Sequence, residues 1–529
     1  MSGTGEQAEP GAGQDWTPEI EEIRGRREMA QAMGGPQKVA RQRASGRLTV
    51  RERIERLADP GTFAEIGALT GFGDYDGAGR LVSVLPANFV AGTARIDGRP
   101  VMIGADDFTV RGGSGDAAIH AKQVFSEEYA GQMRLPVVRL LDGASGGGSV
   151  KMAQDAGYTY VPVNPAWDAV VDNLSLVPVV ALCLGPTVGL GAGRLVMSHL
   201  AVLVENLGQL FTAGPPVVRG GTGEDLTKEA LGGADVHRRN GTIERFASSE
   251  EAAFGLARRF LSYLPGSVHA LPPVLACDDP ADRRDEALAA AIPRNPRAPY
   301  PLGPVVDAIF DRGSVLRYAE YGGATVTALA RLDGHPVGVI ATDPFKGTTM
   351  SAAGAMAVTR LADLCETFHL PMVSLTDQGG LSIGRVAEER GTIRFGARAI
   401  AAVYQARVPQ AELIVRRVYG VGGAGIVNRH RAGRSWAWPS GDWGSLPVQG
   451  GVEAAFRAQL ESAPDREAEI ERIRADLAAV SSPFRTAERF GVQDLIDPRD
   501  SRPLLCAWVR DAYRVLPELT GRPSFGTRP

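Results

Sequence analysis

Four short glycine-rich runs are the residues of this chain whose types and spacing could do chemistry. They are DGASGGGSV (142–150), GPTVGLGAG (185–193), DQGGLSIG (377–384) and YGVGGAG (419–425). Each follows an apolar, strand-like run: LPVVRLL, LVPVVALCL, LPMVSL and AELIVRRV respectively. A loop at the carboxyl end of a strand that opens into a helix presents unpaired backbone N–H groups, which suit an anion. No Ser-His-Asp set, metal-ligand cluster or carboxylate pair accompanies these loops. The chemistry they predict is stabilisation of an oxyanion by main-chain donors, each worth ~3 kcal/mol in other enzymes. Glycine also permits tight helix–strand packing, and that reading competes with the catalytic one. GVGGAG, with Asp442 about twenty positions on, also matches a dinucleotide fingerprint. Its repeat partner VGLGAG and the following WAWP argue against that. No G-K-[ST] follows any of the loops, which excludes a P-loop.

The elements that must hold these loops are predicted by apolar runs alternating with helical patterns, the mark of an α/β layered fold. The order repeats. ARIDGRPVMI from Ala94 returns as ARLDGHPVGV from Ala330, and RLPVVRLLDG from Arg134 as HLPMVSLTDQG from His369. DPGTFAEIG from Asp59 is loosely matched by DRGSVLRYAE from Asp311, and VGLGAG at Val188 by VGGAG at Val421. Four ordered matches make the chain an internal duplication. Residues 1–16 are expected to be a disordered lead-in, 17–280 and 304–529 the two domains, and 281–303, rich in proline and charge, the linker.

The 529 residues carry a formal charge of −4, which gives no basic footprint for nucleic acid. Cys183, Cys277, Cys365 and Cys506 are far apart and fit reduced thiols. The N-terminus has no cationic start before an apolar core. The apolar stretch 174–193 is broken by Pro178, Pro186 and glycines, and reads as a buried strand entering a loop, not a membrane span. The expected location is cytoplasmic. His237 is read as a hydrogen-bonded structural residue, and His199 and His430 as structural or surface residues. Trp436 and Trp438 are read as packing groups, and Asp142 and Asp377 as loop caps.

One family carries this order of motifs. FTAGPPVVRGGTGEDLTKEALGGADVH (211–237) resembles the AGPP…TGE…LGGA-x-x-H block of acyl-CoA carboxylase β subunits, the propionyl- and methylcrotonyl-CoA carboxylase type. ARQRASGRLTVRERIERLADPGTFAEIG, DQGGLSIGRVAEERGTIRFGAR, VPQAELIVRRVYGVGGAG, WAWPS and IDPRDSRP are similar to further blocks of the family, in the family's order.

The resemblance implies two tandem crotonase-like domains and carboxyl transfer from carboxybiotin to the α (or vinylogous) carbon of an acyl-CoA. It assigns the amides of Gly191 and Ala192 to the thioester oxyanion, with Gly147, Gly148 and Leu190 lining that pocket. Gly423 and Ala424, with Gly379, Gly380 and Gly422 nearby, are assigned to the ureido oxygen of biotin. No side-chain base and no metal are expected. No A-M-K-M-type biotinylation site is present, so biotin and biotin carboxylase are expected on a partner subunit, and the chain as a homo-oligomer, a hexamer with sites between protomers. The basic N-terminal helix (Arg41, Arg43, Arg47, Arg51) is a candidate for CoA phosphates, against a plain solvated face. An acyl-CoA decarboxylase of the same superfamily and a non-catalytic CoA-binding assembly subunit are the alternatives. The chain departs from the family at Leu190, at SGGGSV (145–150), at Gln378–Gly379 and at Gly425, all in or beside the loops.

Overall fold

The computed structural model of the chain describes residues 15–146, 150–159, 161, 166–431, 433–446, 448–524 and 526–528. In the first half the strands are β1 (Ala64–Ile66), β2 (Gly71–Tyr75), β3 (Leu81–Pro86), β4 (Phe89–Ile96), β5 (Arg99–Asp106), β6 (Val137–Gly143), β7 (Val179–Val188), β8 (Leu200–Val204), β9 (Gln209–Phe211) and β10 (Arg245–Ala247). The second half has β11 (Leu316–Arg317), β12 (Thr325–Leu332), β13 (His335–Thr342), β14 (Met372–Gln378), β15 (Gln410–Tyr419), β16 (Arg434–Ala437), β17 (Asp442–Gly444) and β18 (Asp494–Leu495).

Both halves build an eight-stranded sheet of one topology. The first runs β1-β4-β5-β6-β7-β8-β10 with β9 on β7, and the second runs β11-β12-β13-β14-β15-β16-β18 with β17 on β15. Even an irregularity repeats, since the β6–β7 register shifts between Leu141 and Gly143 and the β14–β15 register between Thr376 and Gln378. The expected duplication and α/β class are what the chain has. β6, β7, β14 and β15 are buried over most of their length, as parallel strands covered on both faces must be, hence their continuous apolar runs.

Each half opens with the same antiparallel hairpin. Asp97 and Gly98 (φ +49° and +76°) turn β4 into β5, and Asp333 and Gly334 (φ +50° and +77°) turn β12 into β13. The upstream matches Asp59 and Asp311 cap these turns. Their carboxylates accept from both turn amides at 2.8–2.9 Å. The two glycines differ in surroundings, because a Cβ at Gly98 meets nothing within 4 Å whereas one at Gly334 would stand 1.9 Å from Leu275 O. Gly98→Ala is therefore expected to cost about 1 kcal/mol of left-handed strain. Gly334→Ala should cost several times more, and urea unfolding of the two variants measures the difference.

The halves share a core. The helix Ala352–Phe368 is buried on nearly every side and contributes Ala355, Val358, Leu361 and Cys365 to a cluster with Ile54, Val180 and Phe260 of the first half. Tyr318 Oη donates to His199 O at 2.7 Å, and Arg360 binds Ser198 O and Glu244. Segment 281–303 packs on the second half, with Leu288 and Tyr300 beside Trp436 and Trp438. The chain end returns to the first half, where Gly521 N–H meets Val268 O at 2.8 Å. The lead-in lies outside the described residues through position 14.

Candidate active site

β7 delivers the first donor set. It ends at Val188, Gly189 turns with φ +60°, and the helix Leu190–Val196 begins with no side-chain cap. The first intrahelical donor is Gly193, whose N–H reaches Gly189 O at 3.0 Å. The amides of Leu190, Gly191 and Ala192 precede it, so the helix itself supplies them no acceptor. The loop after β6 presses on this turn. A Cβ at Gly191 would stand 2.9 Å from Ser145 Oγ and 3.0 Å from Gly143 O. Only glycine lets that loop approach so closely. Gly147 and Gly148, expected in the same pocket, lie outside the described residues.

The second half repeats the arrangement. β15 ends at Tyr419, Gly420 turns with φ +57°, and the helix Gly420–Gly425 starts uncapped. A Cβ at Gly422 would meet Gly380 C at 2.8 Å and Leu381 N at 2.9 Å, so Gly380 packs on Gly422 as the β6 loop packs on Gly191. β7 and β15 are thus related by the 231 positions separating Val179 from Gln410, which pairs Gly191 with Gly422 and Ala192 with Gly423. By strand register Ala424 stands where Gly193 stands, but this helix begins one residue earlier, at Gly420, so the amides of Gly420, Val421 and Gly422 precede its first intrahelical donor, Gly423. Gly425 faces Ile400, whose Cγ1 lies 2.3 Å from where a Cβ would be, so the space an aromatic would fill is already occupied. Gly379 stays by the site, its N–H on Thr348 O at 2.7 Å.

Buried charge stiffens the first set. Glu127, on the helix His120–Met133, binds Arg139 at 2.8 Å and Arg194, on the donor helix, at 3.0 Å. Arg139 Nη1 also binds the carbonyls of Arg194 and Met197 at the end of that helix. Although burial opposes the charged form, the two guanidinium groups hold the Glu127 carboxyl down at about 2.

Asp142 and Asp377 do not cap loops. Asp142 pairs with Arg53 at 2.8 Å and Arg47 at 2.9 Å, and Asp377 with Arg417 at 2.6 Å and Tyr300 Oη at 3.0 Å. Both carboxylates are fully buried and need cationic partners. The same demand takes up the basic N-terminal helices. Arg43 binds Glu52, Arg47 binds Asp142 and Arg51 binds Glu65, leaving exposed Arg41 as the candidate there for a phosphate.

His237 Nε2 lies 2.7 Å from Leu210 O, and His199 bridges Leu174 O and Val179 N–H. Burial lowers the His199 imidazole to about 3, so it stays neutral in the core. His430 is exposed, with its main-chain N–H 3.2 Å from Asn428 Oδ1. Trp436 and Trp438 sit in the core, Trp438 Nε1 on Ser501 Oγ at 2.9 Å. Cys183, Cys365 and Cys506 are buried free thiols and Cys277 is half-buried. Among the described residues no group of three or more His, Cys, Asp or Glu could hold a metal, and no helix is long and apolar enough to cross a membrane.

The carboxyl transferase domain family matches residues 41–511, nearly the whole of the two repeated sheets and their loops. The chain belongs to this family. It is 31% identical over 501 residues to the propionyl-CoA carboxylase carboxyltransferase subunit of Haloferax mediterranei, covering 93% of this chain and 95% of that one. It is 30% identical to the methylmalonyl-CoA decarboxylase subunit alpha of Propionigenium modestum, over 94% and 95% of the two chains. Among solved structures, the transcarboxylase 12S hexamer core, crystallised with methylmalonyl-coenzyme A, superposes with a TM-score of 0.83 at 28% identity over 94% of this chain and 95% of that one. The fold is accordingly two tandem crotonase-like domains, and the chain is an acyl-CoA carboxyltransferase of the biotin-dependent kind, with biotin on another subunit.

Proposed function

We propose that the two uncapped helix turns are the two halves of one catalytic centre. Gly191 and Ala192 hold the thioester oxygen of the acyl-CoA as its α-carbon becomes nucleophilic, and Leu190 borders the acyl group. The turn of Gly422, with Gly423 and Ala424 after it and Gly379 and Gly380 beside it, holds the ureido oxygen of biotin. Biotin, carried by a partner subunit, supplies the carboxyl group. The glycine-on-glycine contact of Gly422 with Gly380 suits a neutral carbonyl oxygen, because the Gly422 turn offers main-chain N–H with no side chain over it, while the amides of Gly379 and Gly380 are held by Thr348 O and Gln378 Oε1. The observation that carries this reading is the equivalence of the two turns, each at the carboxyl edge of its sheet, each with a positive-φ glycine and a glycine pressed by the neighbouring loop.

The turns are completed across a protomer boundary. Exposed apolar residues border both edges: Val150, Val161 and Val217 in the first half, and Phe345, Ile383 and Val421 in the second. A second protomer seated on these loops would cover them. A hexamer with N-half facing C-half is the assembly this reading requires, and a monomer at micromolar concentration in sedimentation would oppose it.

The acyl group is short, of the propionyl class, by likeness to the relatives. The test is a panel of acyl-CoA thioesters and their carboxylated forms, run with free biotin or the biotin-bearing partner and read in both directions. Transfer to propionyl-CoA, or from methylmalonyl-CoA to biotin, is the expected result. Silence across the panel with retained CoA binding would leave only a scaffold.

A further inference from the structure

The two donor loops are held differently. In the second half, main chain does it: Met350 N–H binds Gly380 O at 2.9 Å and Ser382 N–H binds Met350 O at 2.9 Å. In the first half Gly146 N–H binds Gly113 O at 2.9 Å, and side chains add to it. Gln123 Nε2 donates to Ser145 O at 3.2 Å, His120 Nε2 lies 3.0 Å from Gly146 O, and the Ser145 hydroxyl donates to Asp106 Oδ2. Asp106 ends β5, where the second half has Thr342 at the end of β13, and Ser145 stands where the second half has Gly380. Both Ser145 and Gly380 have positive φ, +47° and +102°. A serine there bears a strain that a glycine escapes. Ser145 also touches the donor turn, since its Oγ is 2.9 Å from where a Cβ on Gly191 would be.

We propose that Asp106 is a positioning residue for carboxyl transfer, acting through the Ser145 hydroxyl to hold the β6 loop against Gly191. The inference rests on the role given above to the Gly191 turn. Three observations support it. Asp106 and Ser145 are 1% and 2% exposed, so their contact is made inside the protein and not at its surface. Asp106 Oδ1 has no hydrogen-bond partner, an unfavourable arrangement for stability alone. The charges facing Asp106 are Arg194 on the donor helix and Asp142, whose N–H lies 3.4 Å from Oδ2. Burial lifts its carboxyl to about 6, with Asp142 adding to the rise and Arg194 opposing it. The sign follows. A carboxyl raised in the folded state stabilises the fold in acid and loses that contribution as pH rises through 6. At pH 7.5 its charge is a cost that Asp106→Asn removes.

The test is a cycle of Asp106→Asn, Ser145→Ala, Ser145→Gly and the Asp106→Asn/Ser145→Gly double variant, each assayed for carboxyl transfer from methylmalonyl-CoA to free biotin. Asp106→Asn and Ser145→Ala are expected to lower kcat about 10- to 100-fold with KM for the acyl-CoA little changed, the scale of a small misplacement. Thermal midpoints at pH 7.5 should hold or rise for Asp106→Asn. Ser145→Gly, which accepts the positive φ unaided, should keep most turnover, and in its background Asp106→Asn should cost little more. Wild-type kcat is expected to fall in acid as Asp106 takes up its proton, and that limb should vanish in Asp106→Asn. Wild-type turnover and an unmoved acid limb in Asp106→Asn overturn the proposal, as do additive effects in the double variant. Gly191→Val is the control that separates the two readings. If it is active, the role of the turn fails. If it is inactive while Asp106→Asn is normal, only the positioning role fails.

Discussion

Ala192→Pro is expected to lower carboxyl transfer roughly 100-fold or more while the protein folds and binds acyl-CoA nearly as before. The argument is geometric. Ala192 lies before Gly193, the first residue of its helix to donate within the helix, so its N–H is free for substrate. Proline in a first turn loses no helical hydrogen bond and its ring clashes with no preceding turn. What it removes is one donor to an oxyanion, a loss of about 3–4 kcal/mol in transition-state stabilisation. Ground-state binding of CoA, spread over nucleotide and pantetheine, should change little. Steady-state kcat and KM with calorimetric CoA binding decide the matter. Full turnover in Ala192→Pro would remove the oxyanion role from this turn.

Much of this architecture is legible in the sequence, and the reason is burial. LPVVRLL and LPMVSL lie in strands covered on both faces, so their apolar runs and their repeat stand out in the sequence. The donor loops were legible as glycine clusters, but not the pairing within them. Matching letters set Val188 against Val421, whereas the backbone sets Gly189 against Gly420. Glycine-rich strings are self-similar, and the positive φ that fixes their register leaves no mark in composition. The letters therefore place Ala424 among the donors and Gly422 beside them, while strand register sets Ala424 against Gly193. The charged groups were hidden for a different reason. Asp106, Glu127 and Asp142 look like ordinary acids until β5, β6 and the N-terminal helices bury them together. Arg139, a charge inside the apolar run LPVVRLL, was the one visible sign that a counter-charge waits in the core.

That counter-charge gives the largest stability effect. Glu127→Gln leaves Arg139 and Arg194 buried with no carboxylate between them, and breaking a buried pair this way costs ~3–5 kcal/mol. The loss should also reach the active site, because Arg194 belongs to the helix whose first turn holds Gly191 and Ala192. Turnover is therefore expected to fall in the folded fraction too, unlike the effect of a remote destabilising change. The pH dependence has a definite sign. The Glu127 carboxyl titrates at about 2 in the folded protein against an ordinary 4.5. Its contribution is present above 4.5 and is lost as pH falls from there towards 2. Between pH 5 and 8 the gap in stability between wild type and Glu127→Gln should be constant as far as this group sets it. Below pH 4.5 the two unfolding curves should converge. Denaturant titrations at pH 7, 5, 4 and 3 measure this, and a gap that stays constant down to pH 3 would show that Glu127 does not hold the donor helix by its charge.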